Sequence, residues 1–159
     1  MNDSDSEARK QMHPARAKKY AGKLSSDLLD LVGLSGKVSR AGPGAMASDE
    51  GNGDYVVQHV WSISHLSPQE LTGGFDHLRK ELPKKGWRVT RFGHANSTAQ
   101  QLQIEAVHQK DEYSLSVELL TRSTRENGPS SEPEEDRILF SVGSPTYRAP
   151  EGVDPDDYY

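Results

Sequence analysis

Residues 54–92 read DYVVQHVWSISHLSPQELTGGFDHLRKELPKKGWRVTRF, and the change of period inside this stretch decides the fold. Tyr55, Val57, His59, Trp61 and Ile63 alternate with Val56, Gln58, Val60 and Ser62. A period of two rich in β-formers predicts a strand with one face on a core. At Ser67 the period changes. Ser67-Pro68-Gln69-Glu70 fits a capping box: the serine hydroxyl accepts from the amide of Glu70, and Glu70 reaches back. Proline suits the first helical position, where no N–H is needed. Leu71, Phe75, Leu78 and Leu82 then make one apolar stripe at helical spacing. Gly73-Gly74 weakens that helix by about 1 kcal/mol per glycine relative to alanine. The pair also allows the helix to approach the sheet closely. Pro83 and Gly86 close the helix, and Trp87–Phe92 returns to strand alternation.

Downstream the pattern is an antiparallel meander. After a polar turn at Gly93–Thr98, Leu102, Ile104, Ala106 and His108 alternate with polar residues. Lys110-Asp111-Glu112 reads as a tight hairpin, followed by Tyr113, Leu115, Val117 and Leu119 on one face. Residues 122–136 read as a long exposed loop, Ile138, Phe140 and Val142 as a last strand, and 147–159 as a disordered acidic tail.

Upstream, Ala17, Ala21, Leu24, Leu28 and Leu31 predict a helix from Pro14 to Val32, with Gly33 as a left-handed cap. Residues 41–53 read as a loop or linker, and 1–13 as a flexible polar leader. The expected fold is α+β, in the order α-β-α-β-β-β-β. About five antiparallel strands carry two helices on one face, in a single domain over residues 14–146.

Composition narrows function by exclusion. The 159 residues carry 19 Lys and Arg against 24 Asp and Glu, a net charge of −5, and only 33% are hydrophobic. Mean hydropathy is −0.80. No apolar run approaches the roughly 18 residues of a membrane span. With no cysteine there are no disulfides, thiolate metal ligands or cysteine nucleophiles.

Six histidines, His13, His59, His65, His77, His94 and His108, are scattered without a ligand-pair spacing, so no metal site is expected. His59 and His108 fall on apolar strand faces, where they can approach each other across the sheet as structural groups. No Gly-x-Ser-x-Gly elbow or phosphate-cradling loop is present. Glu134-Glu135-Asp136 and Asp156-Asp157 read as solvating charge, because acid–base work needs fixed geometry. No catalytic residue and no cofactor is therefore expected, and ligand-binding residues stay unassigned. The turn at Gly93–Thr98 and the loop at 122–136 are where binding groups would sit on this scaffold. The sheet lacks a Lys/Arg-Gly-Phe run, so nucleic acid is not an expected partner. Arg9, Lys10, Arg16, Lys18, Lys19 and Lys23 form a basic cluster suited to an anionic surface.

Trp61-Ser62-Ile63, Leu71-x-x-x-Phe75-x-x-Leu78, Leu82-Pro83-x-x-Gly86-Trp87-x-Val89 and Gly93-x-x-Asn96-Ser97 carry a further observation. Together they resemble small, uncharacterised predicted lipoproteins of actinobacteria, over about residues 15–145. The resemblance implies export, removal of a signal peptide, and acyl anchoring at an N-terminal cysteine that is not among these residues. It places the domain on the extracytoplasmic face of the cell membrane. The expected function is a non-enzymatic, membrane-tethered envelope protein that binds a protein partner or a small ligand. The alternatives are a soluble cytoplasmic interaction domain, or an enzyme using His59 or His108 as an acid–base group.

Overall fold

The computed structural model describes residues 9–39, 41–48, 53–96, 100–121 and 135–159. Helix α1, Pro14–Val32, starts with Pro14 in its first turn and ends at Gly33, whose φ of 68° lets its N–H bond Leu29 O. Its N-cap is His13, whose side chain accepts from Ala15 N at 3.1 Å. Helix α2, Pro68–Glu81, carries the expected capping box: Glu70 N donates to Ser67 Oγ at 3.1 Å and Ser67 N to Glu70 Oε1 at 3.0 Å. A 3₁₀ turn, Leu82–Lys85, follows, and Gly86 at φ 92° reverses the chain.

The sheet has eight strands: β1 Lys37–Val38, β2 Gly44–Ala47, β3 Asp54–Ser64, β4 Trp87–His94, β5 Leu102–His108, β6 Ser114–Leu120, β7 Arg137–Gly143 and β8 Tyr147–Arg148. The α+β class stands, and the strand count of about five is corrected to eight. The path is β1-β3-β7-β6-β5-β4, with β2 and β8 also paired to β3, and every pairing is antiparallel. Long β3 is the organiser, with β1 and β2 sharing one of its edges and β7 and β8 the other. After α2 the chain enters the sheet at the far edge, β4, and meanders back until β7 closes against β3.

Three readings of the connecting segments change. Within 41–53, Gly44–Ala47 is a strand whose Ala45 is fully buried opposite Val57. Its small residues carry no strand signal, and the free edge of β3 supplies the pairing. The expected disordered tail holds β8 and a 3₁₀ turn, Pro155–Tyr158. Pro155 is buried, and Val153 and Tyr158 pack against the core, so three apolar anchors override the acidic composition. The end of the leader is docked as well: Gln11 bridges Arg148, and Arg148 N donates to Lys10 O at 3.0 Å. Residues 1–8, and the 122–134 part of the expected loop, lie outside the described residues.

Both helices cover one face of the sheet. Tyr55, Val57, Trp61 and Ile63 of β3, Ile138, Phe140 and Val142 of β7, and Leu71, Phe75 and Leu78 of α2 join one core with Leu24 and Leu28 of α1. Trp61 and Phe140 pair across the ladder with rings stacked at 4.0 Å and 2°. Such a pair contributes about 0.5–1.5 kcal/mol beyond its burial.

Only one of the paired glycines serves a close approach, and it faces α1 rather than the sheet. A methyl on Gly74 would lie 2.5 Å from Leu34 Cδ1 and 3.1 Å from Val32 Cγ2, whereas one on Gly73 meets nothing within 4 Å. Gly73→Ala should therefore gain about 0.5–1 kcal/mol from helix propensity and chain entropy. Gly74→Ala should lose that gain to the clash. Thermal melts of the two variants check this, and an equal rise in both would contradict the packing of α2 on α1.

Candidate functional site

The two sheet histidines do not meet. His59 on β3 stands in the cross-strand row of Val142, Leu115 and Ala106, while His108 ends β5 opposite Trp87. Three strand spacings, roughly 14 Å, separate β3 from β5. His59 is held on both sides: Ser25 Oγ lies 2.7 Å from Nδ1, and Nε2 lies 2.8 Å from Ala41 O. A carbonyl only accepts, so in the neutral ring Nε2 carries the proton and Nδ1 takes the serine hydroxyl's. This ties α1 to Ala41 and leaves neither nitrogen free as a base.

The other histidines are dispersed. His13 caps α1 and meets Tyr158 edge-on, with ring centres 5.1 Å apart. His65 pairs with Glu135 at 3.2 Å, and His94 Nδ1 lies 2.7 Å from Gln100 O. The His65 hydrogen bond holds the Glu135 carboxyl below its usual range. His77 is exposed on α2. Among the described residues no three His, Asp or Glu gather as a metal-binding group. Of the segments expected to carry binding groups, Gly93 and His94 extend β4, 97–99 lie outside the described residues, and 135–136 alone of the long loop lie within them.

His108 has a different setting. Its Nδ1 is 3.5 Å from Asp111 Oδ2, and the same carboxylate oxygen accepts from the Tyr20 hydroxyl of α1. At that separation the two do not hydrogen-bond, and the buried Nδ1 has no hydrogen-bond partner among the described residues. Trp87 meets the imidazole edge-on with centres 5.0 Å apart. Gly86 turns the chain beside this ring through its φ of 92°, and a methyl there would make only ordinary contact with His108 Nε2 at 3.6 Å.

Around this group lies a cleft of about 390 Å³ between α1 and the start of β4, lined by Leu24, Asp27, Leu28, Asp30, Leu31, Lys85, Trp87 and His108. Its volume falls in the range of small-molecule sites, roughly 300–1,000 Å³. The floor is apolar: Leu24, Leu28 and Trp87 are at most 6% exposed. The walls are charged, with Asp27 and Asp30 on α1 and Lys85 on the 3₁₀ turn. Asp27 is bonded to Lys23 at 3.1 Å. Sequence reading missed this cleft, because its residues come from four elements and no local spacing joins them. The one available signal was Asp30, a carboxylate in the last turn of a helix that has no basic residue there.

Tyr20 of α1 clusters with Tyr55, Tyr113 and Tyr147, with the Tyr20 and Tyr113 rings 5.1 Å apart and edge-on. Burial raises all four phenols above their usual range, and in Tyr20 the hydrogen bond to Asp111 adds to it. Raised folded values mean that the unfolded chain releases these protons first. Their stabilisation is complete below about pH 10, the ordinary tyrosine value, and is lost as pH rises toward the folded values. Denaturant melts between pH 8.5 and 11.5 should show stability falling above about pH 10. Tyr55→Phe should flatten that fall, and a flat wild-type profile would contradict the cluster.

No protein-family model matches the chain, and no curated protein matches it.

Proposed function

We propose that this domain is a non-enzymatic ligand-binding module of the bacterial cell envelope, tethered by a lipid anchor to the outer face of the cytoplasmic membrane. The observation that supports the binding role is the preformed cleft beside α1, with its apolar floor, its charged walls, and no serine or threonine among its lining residues to act as a nucleophile. His108 lies there edge-on to Trp87 as a recognition group.

Tethering is supported by the resemblance over residues 15–145 and by the outer face of α1. Arg16 and Lys19 are exposed there, on the side away from the sheet, beside Lys23, which is paired to Asp27. Near an anionic bilayer each such cation contributes about 1 kcal/mol. Arg9 is occupied otherwise, paired to Asp54, so the basic cluster divides into an anchoring residue and a surface-facing group. Among the described residues no helix is long and apolar enough to cross a membrane.

The test is to feed the source bacterium an alkynyl fatty acid and fractionate it. The proposal expects the native protein to be labelled, membrane-associated and open to protease in spheroplasts. An unlabelled protein in the cytosol would overturn the tether and favour a soluble interaction domain.

A further inference from the structure

We propose that the cleft between α1 and β4 binds a free α-amino acid with an apolar side chain, an inference that rests on the ligand-binding reading above and names its substrate class. The first ground is charge placement. Asp30 on α1 and Lys85 on the 3₁₀ turn line the same cleft from two different elements, and neither makes an ion pair with the other or with any other described residue. An unpaired anion and cation lining one small cavity complement a zwitterion, with the ligand ammonium toward Asp30 and its carboxylate toward Lys85. Charge-assisted hydrogen bonds of this kind are the strong ones.

The second ground is that Asp30 is unfavourably placed for the helix itself. It stands in the last turn of α1, where the carbonyl ends carry partial negative charge and a carboxylate is disfavoured. Asp27, one turn earlier on the same face, adds like charge and is only in part offset by Lys23. A ligand ammonium at this helix end relieves both repulsions.

The third ground is the floor. Leu24, Leu28, Leu31 and Trp87 offer apolar surface beneath the charged walls, and about 390 Å³ has room for a side chain of leucine or phenylalanine size. The His108 ring, set edge-on to Trp87, lines the same cleft and adds an imidazole to its polar groups.

The experiment is an amide-shift titration of the ¹⁵N-labelled domain with L-phenylalanine, N-acetyl-L-phenylalanine, L-phenylalaninamide and 2-phenylethanol. L-phenylalanine should move the amides of residues 24–31, 85–87 and 108 saturably. Removing either charge from the ligand should weaken binding at least tenfold, as should Asp30→Asn or Lys85→Ala, two surface changes whose spectra report whether the fold is kept. Binding of 2-phenylethanol equal to that of L-phenylalanine would overturn the amino-acid assignment while leaving a ligand cleft. Failure of all four probes to shift those amides would overturn both the assignment and the cleft's binding role.

Discussion

Replacing Phe140 by alanine should remove about 4–5 kcal/mol of stability, the upper part of the usual range for a buried phenylalanine. Phe140 is fully buried on β7 and stacks on Trp61. The substitution deletes the ring, opens a void between β3 and the helices, and strips one face of the tryptophan of its partner. Trp61 cannot readily turn to fill the space, since it is 3% exposed and bounded by the same core. Whole domains of this size hold only about 5–15 kcal/mol, so the variant should be near unfolding at 25 °C. Urea melts at constant slope check this. A loss below about 2 kcal/mol would show that the β3–β7 seam is not the centre of the core.

Asp54→Ala should be the second largest effect, costing about 2–3 kcal/mol, the scale of hydrogen bonds to a charged group. The Asp54 side chain is fully buried at the start of β3, between Arg9, which pairs with it, and Arg148, whose Nε lies 3.3 Å from Oδ1. Breaking a buried pair usually costs more, because a charge is left without water. Here the guanidiniums are 32% and 45% exposed, so they regain solvent and the loss is smaller. The consequence is local as well as global: Asp54 ties the leader, β3 and β8 together at one end of the sheet. Amide exchange at Met12 and Arg148, whose N–H groups bond across this junction, should speed up in the variant before the core does. Unchanged exchange at both would contradict that role.

The elements whose own residues carry the full signal were legible in advance. Helix α1 needs only its stripe, Pro14 and Gly33. Helix α2 needs only Ser67, Glu70 and the Leu71–Phe75–Leu78 face. Strands β3, β5, β6 and β7 show plain alternation because one face meets the core and the other meets water. Local sterics and side-chain chemistry decide such segments, and the α+β class follows from their order. The resemblance that implies lipid anchoring adds an expectation about location, and the fold neither requires nor opposes it.

What the tertiary structure alone decided was everything that depends on distant partners. Gly44–Ala47 becomes a strand because β3 presents an unpaired edge. The acidic tail is ordered because Val153 and Tyr158 pack against the core and Pro155 is buried. His59 and His108, which share a strand-face pattern in the sequence, part company because β6 and β7 lie between their strands. One becomes a pin between Ser25 and Ala41, the other the wall of a cleft. That cleft is assembled from α1, a 3₁₀ turn, β4 and β5, and its charged residues Asp30 and Lys85 are 55 positions apart in the chain. Periodicity reports which face of an element is buried. It carries no information on which other element will cover that face, because the covering is fixed by the packing of the whole core.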